Sequence, residues 1–184
     1  MQGDIIETEP IIAQTRRWLE IAVIGLNLCP FAQSVYRGNR VRMRVSEDCS
    51  AAGLLEEFRE EASYLHMADP RQCETSLLIH PWALTDFLEY NDFLPLCDAA
   101  VAELGLEGEV QVASFHPQYQ FAGTQAHDIE NYTNRSPYPM LHLLREDSVE
   151  RAVAASANAE AIYQKNILTL RRLGHAGWDR LWSA

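Results

Sequence analysis

Lysine is nearly missing from this chain of 184 residues: of its 15 basic residues, all but Lys165 are arginine. Acidic residues number 26, which gives a formal net charge of −11. Nonspecific nucleic-acid binding depends on neutralising many phosphates with Lys and Arg. The composition therefore argues against a nucleic-acid partner.

The few cations are unevenly placed, since Arg37, Arg40, Arg42 and Arg44 lie within eight residues. A local positive stripe on an acidic protein can concentrate a small anion. Such patterns more often mark the solvated face of a strand. We expect a solvated strand face here and keep anion binding as the alternative.

Paired cysteines and long apolar runs are also lacking. Cys29, Cys49, Cys73 and Cys97 form no C-x-x-C pair, so neither a zinc ribbon nor a redox pair is indicated. No apolar stretch approaches the roughly 18 residues of a membrane span, and MQGDIIETEP does not resemble a secretory signal. These features predict a cytoplasmic protein with free thiols and no membrane association.

Hydrophobic periodicity predicts a single globular domain over residues 1–184, of class α+β or α/β. Four short segments have the length and pattern of strands: 41–45, 75–80, 109–115 and 140–145. Helices are expected from Thr8 to near Leu28, from Ser50 to Pro70, from Thr85 to Gly105 with a break at Pro95, and from Ser148 to Gly174 with a break at Asn158. The pattern predicts a mixed sheet of about four strands covered by helices, in two layers, with a helical C-terminal segment.

Residues 116–139 form a long connection that is rich in functional groups. It has no apolar period of its own, yet its aromatic residues and prolines can be buried. We expect an ordered, site-forming loop.

A thiol and an imidazole are the strongest catalytic candidates. Cys29 precedes Pro30. If a helical turn begins at Pro30, the free amides of that turn stabilise a thiolate at Cys29. If Cys29 instead lies in the last turn of the preceding helix, the helix dipole opposes ionisation and the thiol is inert. His116 directly follows a predicted strand, where ligands often bind, and its ring can equally well cap the strand end through backbone hydrogen bonds. We predict Cys29 as nucleophile or acid and His116 as base, oriented by Asp128 or Glu130.

The predicted function is an enzyme that acts on a small anionic metabolite by group transfer or hydrolysis. Five further residues are predicted to bind the substrate. Amides and a planar guanidinium suit carboxylates and oxyanions, although His142, in mid-strand, also fits a core histidine. The five residues are Tyr119, Asn131, Asn134, Arg135 and His142.

Two alternatives remain open. In the first, the loop and the arginine stripe form a noncatalytic module for an anion or a partner protein. In the second, His116, His127, Asp128 and His142 hold a metal. The spacing shows no metal motif, so no metal or other cofactor is predicted.

Three blocks, GLNLCPFA, ASFHPQYQFAG and NRSPYPMLHLLRE, give the chain a family resemblance. Together they resemble the family called domain of unknown function 1415, over almost the whole length. The resemblance implies a small, soluble bacterial protein without an established activity, substrate or cofactor. Cys29, His116, Arg135 and His142 all fall within these blocks.

Overall fold

A four-stranded mixed sheet forms the centre of the computed structural model, which describes residues 8–155 and 159–183. Its strands are β1 (Val41–Val45), β2 (Thr75–Ile79), β3 (Val110–Phe115) and β4 (Met140–Arg145), in the order β1-β2-β4-β3. β1 and β2 are parallel, whereas β4 runs antiparallel to both β2 and β3. The predicted mixed sheet is confirmed.

Helices precede and connect these strands. They are α1 (Glu9–Trp18), which continues as a π-helix (Leu19–Ile24), α2 (Ala32–Arg37), α3 (Ala51–Met67), α4 (Phe87–Glu103), α5 (Glu146–Ala155) and α6 (Ala159–Leu181), with a 3-10 helix at Ile129–Thr133 in the long loop. Gly174, with φ of 63°, interrupts α6, and the chain resumes a helical path after it. The short α2 was not predicted. The predicted break at Asn158 lies outside the described residues.

Both faces of the sheet are covered, so the expectation of two layers is wrong. All five residues of β2 are buried, and a strand buried on both sides needs packing partners on both. Leu78, Leu141 and Leu143 pack with α3 and α4 on one face. Leu77 and Ile79 pack on the other face with side chains of α1, the π-helix and α6.

Helix α4 passes through Pro95 without the predicted break. Proline removes one helical hydrogen bond, but Pro95 and Asn91, whose carbonyl loses its partner, are both solvent-exposed. Water can therefore satisfy that carbonyl. Gly105 then ends the helical region as expected, with φ of 70°, while the amide of Leu106 donates to the carbonyl of Val101.

The arginine stripe on β1 faces helix α3 rather than open solvent. Arg42 pairs with Glu61, which is 1% exposed, and Arg44 lies 3.0 Å from Glu60. Arg40 forms a separate pair with Glu74 at 3.0 Å. Neither a purely solvated face nor an open anion clamp describes these three arginines, because carboxylates already neutralise them.

Candidate functional site

A cavity of about 330 Å³ lies on the sheet face covered by α1. Its floor includes Leu77 of β2, Ala113 and Phe115 of β3, and His142 of β4, and its walls come from the π-helix, α2 and α5. Most of the lining is aliphatic or aromatic, as expected of a small-molecule pocket. We call this space the Cys29 cavity, because the thiol-bearing residue lines it as well.

His142 brings an imidazole to this mainly apolar space, which Glu74, Thr75, Arg145 and Ser148 also line. The register pairs it with Leu77 on one neighbouring strand and Ala113 on the other, so all three side chains share one face. Burial lowers the pKa of its imidazole from 6.5 to about 4. The ring is therefore neutral at pH 7.

Thr75 determines which ring nitrogen of His142 carries the proton. Its hydroxyl donates to the carbonyl oxygen of Leu143 at 2.6 Å and lies 2.7 Å from Nε2 of His142. A hydroxyl has one proton, so Nε2–H must donate to Thr75 and Nδ1 keeps its lone pair. Within the described chain, no hydrogen-bond partner occupies Nδ1, which leaves an acceptor for a ligand proton.

Cys29 lies in the turn between the π-helix and α2. The amide of Ala32 donates to the carbonyl of Cys29 at 3.3 Å, and α2 begins only at Ala32. Asn166 of α6 fixes the same turn by donating to the carbonyl of Leu28 at 2.9 Å. Cys29 is therefore neither a helix N-cap nor part of the preceding helix, and its partly buried side chain borders the cavity.

His116 occupies a different environment on the α4 side of the sheet. Its fully buried ring lies 5.1 Å from the ring of Tyr90 and 5.4 Å from that of Phe87. Nδ1 accepts the amide of Gln118, and Nε2 lies 3.3 Å from the carbonyl oxygen of Leu84. Both nitrogens are thus used structurally, and burial lowers the pKa of the imidazole. The structure does not bring Cys29 and His116 together in one cavity.

The predicted carboxylate partners of His116 are engaged elsewhere. Asp128 accepts the amide of Gln125 at 2.8 Å, and this bond closes the loop tip. Glu130 pairs with Arg171 of α6 at 2.8 Å, an interaction that lowers the pKa of its carboxyl. Neither carboxylate orients the imidazole.

Three predicted binding residues hold the long loop in shape. The buried side chain of Asn131 accepts from the amide of Phe121 and donates to the carbonyl of Gln125. Asn134 donates to the carbonyl of Ser114 at 3.0 Å. Tyr119 packs its ring 5.3 Å from Phe87. These contacts are all made within the protein, so the three side chains serve to shape the loop.

Arg135 stands apart from the Cys29 cavity. Its Nε donates to the carbonyl of Tyr119 at 3.2 Å, Nη2 donates to the carbonyl of Ala126, and Cζ lies 4.4 Å from the centre of the Tyr132 ring. It lines a second groove, which shares Trp18 with the Cys29 cavity.

The alternative metal ligands do not form a cluster. His127 is at the loop tip with 85% of its side chain exposed, whereas His116 and His142 are held by the contacts given above. Among residues 8–155 and 159–183, no group of three His, Cys, Asp or Glu side chains is arranged to hold a metal ion.

Two residues of these pockets were not predicted: Thr75, the partner of His142, and Trp18, which lines both pockets. Strand alternation places Thr75 on one face of β2, but only the β2–β4 register shows that it meets His142. Trp18 lies within the helix predicted from Thr8 to near Leu28, and a helical pattern gives no indication of a cavity.

Comparisons with known proteins identify a family but no characterised relative. The family model described as "Protein of unknown function (DUF1415)" matches residues 10–180. Neither a curated protein nor a solved structure matches the chain significantly. In the part of the chain that the structure describes, no helix has the length and apolarity needed to cross a membrane.

Proposed function

Since the chain belongs to the DUF1415 family, whose function is unknown, we propose a function from its geometry. We infer an enzyme that binds a largely apolar small molecule in the Cys29 cavity and acts on it by acyl-group transfer or hydrolysis. The observation that carries this proposal is that Cys29 and a neutral His142 with a free acceptor nitrogen line the same cavity.

This proposal differs from the sequence-based prediction in its base and in its substrate. His142 replaces His116 as the base, because both ring nitrogens of His116 are hydrogen-bonded to backbone groups. An apolar lining favours an aliphatic or aromatic acyl group over a small, highly charged metabolite.

In the proposed reaction, the Cys29 sulfur forms a bond to the acyl carbon of an ester or amide. The thiol proton moves to Nδ1 of His142 and then to the departing alcohol or amine. A water molecule or an acceptor alcohol then attacks the thioester and gives its proton to Nδ1 of His142. The acyl–sulfur bond breaks, an acid or a new ester leaves, and the sulfur takes the proton from the imidazole to regenerate the thiol. Thr75 keeps the imidazole in the tautomer that can accept the proton.

Alkyl maleimides test the cavity directly, with Cys49 as an internal control because it is exposed. We expect N-octylmaleimide to modify Cys29 several-fold faster than N-ethylmaleimide, because burial of each added methylene contributes about 0.8 kcal/mol at most. Cys49 should show much less chain-length preference. Peptide mass spectrometry gives the modification rates of both cysteines in one sample. An equal ratio of octyl to ethyl rates at Cys29 and Cys49 contradicts the proposed site.

A chromogenic ester tests the chemistry. We expect p-nitrophenyl octanoate to release more than one nitrophenolate per chain, and both Cys29→Ala and His142→Gln to abolish this turnover. Circular dichroism checks that the variants fold. Absence of turnover in the wild-type protein contradicts the proposal that it is an enzyme.

A noncatalytic carrier of apolar molecules is the second candidate. It is favoured by one observation: among the described residues, no hydrogen bond joins the Cys29 thiol to His142. A carrier predicts the same alkyl preference at Cys29 without ester turnover. The two experiments together therefore separate an enzyme, a carrier and an unused cavity.

We also propose a reducing, cytoplasmic setting for the protein. All four cysteines are free thiols, which the proposed chemistry requires at Cys29. Fractionation of cells that express the native gene tests this assignment.

A further inference from the structure

We propose that a second pocket, separate from the Cys29 cavity, binds a small planar anion of the aromatic carboxylate class. This groove of about 390 Å³ lies where α1, the long loop and the end of α6 meet. We call it the arginine groove, because Arg17 and Arg135 both line it. The inference depends on the groove alone and is independent of the proposed thiol chemistry.

The guanidinium of Arg135 is the centre of this site. Its Nε and Nη2 donate to the carbonyls of Tyr119 and Ala126, which are neutral acceptors and leave its charge uncompensated. In the described part of the chain, no carboxylate pairs with it. Arg151 and Arg171, in contrast, each pair with an acidic side chain, at 2.7 and 2.8 Å. Arg135 is thus available to a ligand's negative charge.

Arg135 is also fixed in position before any ligand arrives. Its Cζ lies 4.4 Å from the centre of the Tyr132 ring, a cation–π contact. Its side chain is held further by the bonds to the carbonyls of Tyr119 and Ala126, and its backbone carbonyl accepts the indole N–H of Trp18 at 2.9 Å. A side chain held in this way loses little conformational entropy on binding, which favours affinity.

Aromatic rings and prolines form most of the remaining lining, beside the polar residues Gln14 and Ser136. Tyr132 packs 4.9 Å from Trp178, and Trp178 packs 5.6 Å from Trp182, both in edge-to-face geometry. Pro117 and Pro137 also line the groove. Aromatic and proline surfaces favour contact with a planar ring.

Charge selects an anion over a neutral ring. Among the described residues that line the groove, none carries a carboxylate, so the guanidinium of Arg135, bonded to neutral carbonyls, sets the sign of the local charge. The protein as a whole carries −11, so this local positive region focuses a small anion while the rest of the surface repels large polyanions.

Tryptophan fluorescence provides the test, because three of the four tryptophans (Trp18, Trp178 and Trp182) line the groove. Titration with benzoate should change the fluorescence saturably, with a Kd of about 1 mM or tighter. Neutral benzamide, which has the same planar shape, should bind at least tenfold more weakly.

Two arginine variants complete the experiment. Arg135→Gln should remove the benzoate response, whereas Arg151→Gln, which makes the same charge change at an exposed site, should leave it unchanged. If Arg135→Gln fails to fold by circular dichroism, Arg135→Lys takes its place; it keeps the charge but not the planar donors and should weaken binding at least tenfold. The inference is overturned by a linear response to benzoate, by equal affinity for benzamide, or by unchanged affinity in the folded Arg135 variant.

Discussion

The hydroxyl of Thr75 lies between His142 and the carbonyl of Leu143, at 2.7 Å from the imidazole Nε2 and 2.6 Å from the carbonyl oxygen. Its single proton goes to the carbonyl, so the imidazole must donate to the hydroxyl oxygen. This relationship between Thr75 and His142 assigns the tautomer of the ring in the Cys29 cavity.

Replacing Thr75 tests this tautomer. Thr75→Val leaves the imidazole N–H without a partner and should lower the free energy of unfolding by about 1–3 kcal/mol. Thr75→Ser keeps the hydroxyl and should cost less than Thr75→Val. Urea denaturation measures both, and ¹⁵N shifts of the His142 ring should report Nε2–H in the wild type. Equal stabilities of the two variants, or a protonated Nδ1, would falsify the assignment.

Buried neutral histidines predict an acid-sensitive fold. Burial lowers the pKa of His80 and of His142 from 6.5 to about 4. Between these pH values the unfolded chain binds more protons than the folded one, so the free energy of unfolding should fall as pH drops from 6.5 to 4. It should be nearly independent of these groups above pH 7. Denaturation at a series of pH values measures the slope.

Two histidine variants separate this effect from general acid denaturation. His142→Gln should make the slope between pH 6.5 and 4 shallower, because one proton-binding difference is removed. His127→Gln should leave the slope unchanged, since that ring is 85% exposed. A slope that is the same in both variants contradicts the assigned role of burial.

The buried carboxylate of Glu61 should contribute to stability far more than its exposed neighbour Glu60. Glu61 is 1% exposed and accepts hydrogen bonds from Arg42 and from the hydroxyl of Ser76, at 2.6 Å for the latter. Glu61→Ala should cost about 3 kcal/mol. Glu60→Ala removes a pair whose carboxylate is 66% exposed and should cost less than about 1 kcal/mol. Thermal unfolding compares them, and similar losses for both variants contradict this ranking.

Asn131 should be the main structural residue of the long loop. Its side chain is fully buried and bonds to Phe121, Thr124 and Gln125. Asn131→Ala should cost about 2 kcal/mol and speed hydrogen exchange at the Phe121 amide. Gln118→Ala, at an exposed position in the same loop, serves as the control. Unchanged exchange in Asn131→Ala shows that other contacts hold the loop.

The fold was more predictable than the site. Alternation in Val41–Val45 and the apolar run of β2 are local patterns, and both strands are confirmed. Covering both faces depends on where the N- and C-terminal helices pack, which is a long-range property. The continuous helix through Pro95 depends on solvent exposure that the sequence pattern did not reveal.

The candidate site was only partly predictable, because residue type and position do not show toward which face of the sheet a side chain turns. Cys29 and His142 were singled out by residue type, and the structure brings both to one cavity. His116 was chosen because it follows a strand, but that position does not determine the face toward which the ring turns. Tyr90 and Phe87, which enclose it, come from a helix distant in sequence.

Nuclear magnetic resonance of His142 after alkylation of Cys29 tests the central claim most directly. With ¹⁵N-histidine labelling, attachment of N-octylmaleimide to Cys29 in a Cys49→Ala background should shift the ring signals of His142 and leave those of the exposed His127 in place. This result confirms that thiol and imidazole share one cavity. Full modification of Cys29 with unchanged His142 signals contradicts the shared cavity and the proposed chemistry.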